Sequence, residues 1–307
     1  VIIDLPNTTT RDIAASLQHI HETTAQTTGR VLTLIVMATS GDDLPEIIRV
    51  TTDASWEHPS RVLVLIDGGP ARSSGVDAEI RVGGTVGASE FVIMTLRGEV
   101  AAHADAVVTP LLLPDTPIVV WWPSEAPPVP AEHPVGRLAQ RRITDGARQT
   151  EGYTPGDSDL SWARITQWRG VVASSLDAHP KENVTAVSVK GPRDNLSIDL
   201  AAGWLASRLG VPVRRGVATH QIKGDLEPCE LRMEFPSGPI TIHHRSHSTI
   251  SVRMPQRPES LVAMNPRSTA DCLAEELRHL DPDVIYAEAL RGIGAVAFED
   301  SENSEEN

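Results

Sequence analysis

The densest run of ionisable side chains is His243-His244-Arg245-Ser246-His247. Imidazoles ligate metals and transfer protons near neutral pH. On a strand, His243 and His244 point to opposite faces and cannot share an ion. His243 and His247 share a face only if the strand runs through both. The alternation of Ile240 and Ile242, answered by Ile250, Val252 and Met254, places a hairpin turn between them. Turn and wet-face histidines are the plainer reading, and no metal site is expected. The second candidate is the strand-end loop Asp67, Gly68, Gly69 and Arg72, which follows the apolar run Arg61–Ile66. Open α/β sheets bind ligands at the carboxyl ends of their strands, and glycine amides beside an arginine suit an anion. A metabolite-binding sensor or enzyme built on this loop is therefore the alternative function. Against it, the pattern is not Gly-x-Gly-x-x-Gly, no phosphate-loop motif occurs, and no lysine precedes Lys181. Gly83, Gly84 and Gly87 lead into a strand rather than a helix, so they read as a β-turn. Gly-x-Ser-x-Gly, His-Glu-x-x-His and Cys-x-x-Cys are all missing from the sequence. No catalytic constellation emerges, and neither enzyme activity nor a cofactor is expected.

Six tryptophans stand against three phenylalanines and two tyrosines, so indoles carry most of the aromatic area. Trp121 and Trp122 are adjacent on an apolar run, which requires a large pocket on each face of a strand. Trp162, Arg164, Trp168 and Arg169 share one short helical stretch opened by Asp159, and Arg141 and Arg142 precede it. Tryptophan and arginine are the residue types most enriched at interface hot spots. Two readings stand: these side chains fill the core and the seam between domains, or they present a partner-binding surface. The wet sheet face with Arg232, Glu234, His243 and Arg253 is a further, weaker docking candidate.

The elements that position these residues follow from periodicity. Thr9 and Asp12 have capping-box spacing before Ile13, Leu17 and Ile20 on one helical face. Val31–Met37, Arg61–Ile66 and Ile118–Trp122 are continuous apolar runs, as in strands buried on both faces. Leu44–Trp56 and Ala101–Leu113 read as helices between strands. Residues 1–150 are thus expected to form a Rossmann-like α/β domain, three-layered with a largely parallel sheet. Residues 151–158, rich in glycine, proline and aspartate, are expected to be a linker. Residues 159–298 are expected to form an α+β domain. Here a helix over Trp162–Leu176, a strand over Val184–Val189 and a helix over Ile198–Leu209 precede an antiparallel meander with period-two alternation. Residues 299–307 carry five acids and no apolar side chain, and are expected to be a disordered tail.

Length and charge narrow the function further. A chain of 307 residues can bury a full core without disulfides or metal. The net charge of −14 argues against nucleic acid or an anionic membrane as the main partner. The opening Val-Ile-Ile-Asp-Leu-Pro shows no signal-peptide pattern, and no apolar run approaches the roughly 18 residues of a membrane span. A cytoplasmic protein is expected.

Three motifs carry a resemblance: Val119-Val-Trp121-Trp122-Pro123, Leu138-Ala-Gln-Arg141-Arg142-Ile-Thr-Asp145, and Asp159-Leu-Ser-Trp162-Ala-Arg164-Ile-Thr-Gln-Trp168-Arg169. With Ile3-Asp-Leu-Pro-Asn-Thr8, Arg30–Ile35, Pro110–Asp115 and Asp199–Val211, they resemble the glucose-6-phosphate dehydrogenase assembly protein OpcA family, and its actinobacterial members most closely. The likeness runs in order to about residue 296. It implies a protein without chemistry of its own. Such a protein associates with glucose-6-phosphate dehydrogenase, aids its assembly and raises its activity, and so supports NADPH production in the oxidative pentose phosphate pathway. The family's cyanobacterial members are tied to thioredoxin-linked redox control, which needs a reactive cysteine pair. Cys229 and Cys272 lie far apart in sequence, so redox control is not expected here.

Overall fold

The computed structural model describes residues 1–23, 29–69, 71, 73–83, 89–147, 152–178, 182–218 and 229–299. The acidic stretch 300–307 and Arg72 lie outside the described residues. In chain order the elements begin β1 (Ile2–Thr8), α1 (Thr10–Thr23), β2 (Leu32–Thr39), α2 (Leu44–Ser55), β3 (Ser60–Asp67), β4 (Gly75–Val82), β5 (Glu90–Arg97) and α3 (Ala104–Val108). They continue β6 (Ile118–Trp121), β7 (Arg141–Thr144), β8 (Asp157–Asp159), α4 (Leu160–Arg164), α5 (Thr166–Asp177), β9 (Ala186–Gly191), α6 (Leu196–Leu209) and β10 (Val213–Val217). Then come β11 (Glu230–Glu234), β12 (Ile240–Ser246), β13 (Thr249–Arg253), β14 (Ser260–Ala263), α7 (Thr269–Arg278), α8 (Val284–Gly292) and β15 (Val296–Phe298). The chain is mixed α/β with two sheets, and it divides into two compact units. One comprises Val1–Leu160 with Thr269–Pro282; the other holds Ser161–Ser268 and the chain from Asp283 onward.

In the first unit, the described strands form an eight-stranded sheet in the order β1-β4-β5-β3-β2-β6-β7-β8. Pairings from β5 through β3, β2, β6 and β7 to β8 are parallel, while β4 pairs antiparallel with both β1 and β5. β2 and β3 are buried along almost their whole length, as continuous apolar runs require. β4 alternates buried and half-buried residues, as a strand with one wetter face does. The Thr9 hydroxyl donates to Asp12 at 2.7 Å and the Asp12 N–H returns to Thr9 at 3.3 Å, which opens α1. Ile13, Leu17 and Ile20 then join a core with Ile35, Leu63, Leu65, Met94 and Trp122. α2 packs against α7, and an exposed pair, Arg278 with Glu57 at 2.6 Å, lies nearby. Glu90, fully buried at the start of β5, is held by Arg61, by Arg30 at 2.8 Å and by His21 at 2.7 Å.

The second unit contains a seven-stranded sheet in the order β14-β13-β12-β11-β9-β10-β15 among the described residues. β14 to β9 form an antiparallel run; β9, β10 and β15 are parallel. Asn195 caps α6 by accepting from the Ser197 N–H at 2.9 Å, and Gly210 closes it in the left-handed region at φ 64°. α6 and α8 cross so closely that a Cβ on Gly203 would sit 2.2 Å from the Ala289 carbonyl.

Several expectations need correction. The stretch 151–158 is not only a linker: Asp157 and Ser158 are buried in β8, because ion pairing lets a polar strand join the sheet. α7, expected in the second unit, packs into the first. The helix expected over Ala101–Leu113 shortens to α3 between two 3₁₀ turns, the second holding Pro110. The helix expected over Trp162–Leu176 is two helices, α4 and α5, broken at Ile165 (φ −91°, ψ 9°).

Candidate functional site

β7 carries its arginines into a buried layer of charge. Arg141 pairs with Glu276 on α7 and donates to the Asp281 carbonyl at 3.0 Å. Burial pushes the Glu276 carboxyl above its ordinary range, while the Arg141 charge and bonds from Ser158 and Arg141 hold it back. Arg142 pairs with Asp157 on β8 and donates to the carbonyls of Ala139 at 2.9 Å and Pro155 at 2.7 Å. The other Asp157 oxygen accepts the Thr154 N–H at 2.7 Å. Asp159 accepts from the Thr144 hydroxyl at 2.6 Å and from the amides of Gly146 and Ala147, both at 3.0 Å. A short strand with few apolar side chains is thus tied to its neighbour by charge-assisted bonds, which are roughly twice as strong as neutral ones.

In the second unit the third motif is organised around Trp162. Its indole N–H donates to Asp283 at 2.9 Å, while the other Asp283 oxygen caps α8 through Ile285 and Tyr286 at 2.8 and 2.9 Å. The Arg169 guanidinium lies 3.6 Å over the Trp162 ring, a cation–π contact, and donates to Thr166 at 2.8 Å. Tyr286 packs on Trp162 with centroids 6.1 Å apart, and Trp168 meets Trp204 edge-on at 6.4 Å. Arg267 donates to the Ala163 carbonyl at 2.8 Å, satisfying one of the backbone acceptors that α4 leaves open.

This geometry corrects the surface reading of the motif residues. Trp121, Trp122, Arg141, Arg142, Trp162, Arg164 and Trp168 are buried and Arg169 is half-buried, so these side chains present little area to a partner. Trp56 is the opposite case: it is 68% exposed. The Asp67 loop also differs from the anion reading. The Gly68 N–H donates to the Leu96 carbonyl at 2.9 Å and the Gly69 N–H to Asp67 at 2.8 Å, so neither amide is left for a ligand. The strand order moves the crevice instead to the ends of β2 and β6, where the topology switches direction. A cleft of about 200 Å³ opens there, lined by Asp42, Asp43, Glu46, Trp121, Pro123 and Asp145. Burial pushes Asp42 up, but bonds from Thr39 and Ser124 outweigh it and leave the carboxyl below its ordinary range. Sequence reasoning missed this cleft because its residues come from separate loops. Among the described residues no cluster of three His, Cys, Asp or Glu side chains is placed to hold a metal ion. β12 ends at Ser246, so His243 and His247 do not share a strand.

Two family models match the chain in succession. The glucose-6-phosphate dehydrogenase subunit N-terminal domain matches residues 51–155, and the C-terminal domain of the same subunit matches residues 155–290. The chain belongs to the glucose-6-phosphate dehydrogenase assembly protein OpcA family. No curated protein matches it. Among solved structures it is similar to an oxidoreductase from Sinorhizobium meliloti at 9% identity and a TM-score of 0.45, over 87% of this chain and 95% of that one.

The three OpcA motifs all fall within the matched span, and in this family member they build the interior of each unit. The two cysteines are likewise interior: Cys229 lies just before β11 and Cys272 on α7, both buried and in different units. Among the described residues no helix is long and apolar enough to cross a membrane.

Proposed function

We propose that this OpcA-family chain is a non-catalytic assembly partner of glucose-6-phosphate dehydrogenase and an allosteric activator of it, and so supports NADPH production. The observation that carries the reading is the succession of both subunit-domain matches over residues 51–290. The commitment of the Gly68 and Gly69 amides to protein acceptors favours it over a phosphate-binding enzyme. An activator must bind the active form of its enzyme better than the inactive form, and a 100-fold shift needs about 2.7 kcal/mol of differential binding. On this reading the buried Trp and Arg residues act as positioning residues that hold the docking surfaces in shape. The test is steady-state activity of the cognate dehydrogenase with and without this protein, read with size-exclusion co-elution. A higher rate or lower KM with co-elution is expected; no kinetic change and no co-elution would overturn the proposal.

A further inference from the structure

The buried Glu90 carboxylate meets more positive charge than it can balance. Arg61 on β3 and Glu90 on β5 are register partners, so both side chains fall on one face of the first sheet. One Glu90 oxygen takes the Arg61 Nε–H; the other is shared by Arg30 at 2.8 Å and the His21 ring at 2.7 Å. Two guanidinium groups thus meet one carboxylate, and neither forms another ion pair among the described residues. The adjoining stretches 24–28 and 84–88 contain no acid. Arg61 is only 8% exposed and the Arg30 side chain 13%, so the surplus charge is largely out of water, which is costly unless an anion offsets it. Burial and the Arg61 charge lower the Arg30 pKa against the pull of Glu90. α1 ends beside His21, but the carbonyl end of a helix supplies only about half an elementary charge.

A pocket of about 230 Å³ reaches this surplus charge. Ala14, Leu17, Gln18 and His21, at helical spacing on one face of α1, line it together with Arg61 and with Leu111 from the second 3₁₀ turn beside α3. Arg61 Nε is bound to Glu90 and Nη1 donates to the Leu111 carbonyl at 2.7 Å, while Nη2 makes no hydrogen bond among the described residues. The lining therefore divides into an apolar part, Ala14, Leu17 and Leu111, and a polar part, Gln18, His21 and Arg61. At roughly 30 Å³ per water the volume equals about seven waters. It falls below the range, from about 300 Å³, of pockets for drug-sized ligands.

We infer that this pocket binds a small organic carboxylate. The carboxylate accepts from the free Arg61 Nη2 and offsets the surplus charge around Glu90; a guanidinium edge suits a carboxylate in shape and in charge. A short apolar body lies against Ala14, Leu17 and Leu111. Inorganic phosphate would leave the apolar walls uncovered, and a neutral molecule would leave the charge unbalanced. The site lies at the amino ends of β3 and β5, at the opposite strand ends from the acidic cleft at β2 and β6. It goes beyond the function proposed above and does not depend on the dehydrogenase.

The test follows thermal unfolding of the full chain with butyrate, with its neutral amide butyramide and with inorganic phosphate, at matched ionic strength. Butyrate is expected to raise the midpoint and to saturate, the other two to raise it much less. An NMR titration locates the effect: the Arg61 Nε–H and the Gln18 side-chain amide should shift along the same binding curve. Two variants spare the buried charges. Gln18→Glu sets a carboxylate at an exposed lining position, and Ala14→Leu fills the apolar part from a half-buried one. Each is expected to weaken butyrate binding about tenfold or more while the unliganded circular dichroism spectrum is retained. No saturable effect of butyrate overturns the inference. So does an effect that both variants keep, which marks an adventitious site elsewhere. An equal response to butyramide or to phosphate overturns the carboxylate as the ligand class.

Discussion

Glu276 in the first unit and Glu259 in the second each meet arginine, yet their environments push them in opposite directions. Glu276 is buried on α7, and desolvation raises its pKa despite Arg141. Glu259 stands in solvent, and bonds from Arg245 and Arg253 lower it to about 2. An interior pair must offset the loss of hydration, and it fails badly when one partner is removed. A surface pair keeps its water and costs little to lose. The contrast separates two settings of arginine in this molecule: buried and paired in β7, and exposed and paired beside β14.

The largest expected effect breaks the interior side. Arg142→Ala leaves Asp157 buried without its guanidinium and should cost about 3–5 kcal/mol in urea unfolding. Replacing both partners, Arg142→Met with Asp157→Leu, should recover part of that loss. Trp162→Phe comes next. It keeps an aromatic ring beneath Arg169 but removes the donor to Asp283, a bond to a charged group, for about 1.5–3 kcal/mol. Then comes a pH effect. Because the folded-state pKa of Glu276 is raised, its contribution is greatest below the ordinary glutamate pKa. It is lost as pH rises through the raised value. Stability measured from pH 4 upward should show that fall, and Glu276→Gln should remove it. Glu259 has the reverse sign: its contribution is present above the ordinary pKa and lost only as pH falls towards about 2. A carboxyl NMR titration should find it there, moving up in high salt. Glu259→Gln should leave the unfolding midpoint unchanged. A large destabilisation by that variant would erase the distinction between the two sites.

Strongly periodic segments were legible in the sequence. The capping box of α1, the buried runs of β2 and β3, the glycine stop of α6 and the meander from β11 to β13 each announce themselves within a few residues. β7 and β8 did not. Arg141-Arg142-Ile-Thr and Asp157-Ser-Asp lack an apolar pattern, and what makes them strands is mutual charge pairing and a glutamate 135 positions away. β1, β10, β14 and β15 were missed because short edges and parallel neighbours leave little local signal. The Trp and Arg motif residues were recognised as special but placed outside as readily as inside, since hot-spot enrichment describes residue type and not burial. Helical periodicity found α7 without saying which core it joins. Neither the acidic cleft at β2 and β6 nor the pocket beside α1 has a linear motif, because each is assembled from separate segments.

The return of α7 to the first unit has a consequence for biosynthesis. Translation delivers β7 long before it delivers Glu276, and the whole of Ser161–Ser268 emerges between the two. Until then Arg141 has lost neither its hydration nor its freedom, and the amino-terminal unit is an unfinished core. Truncation after residue 268 would therefore strike first at the beginning of the protein. A ribosome stalled there should display a nascent amino-terminal half that proteases still cut, and release of some fifteen further residues should close it.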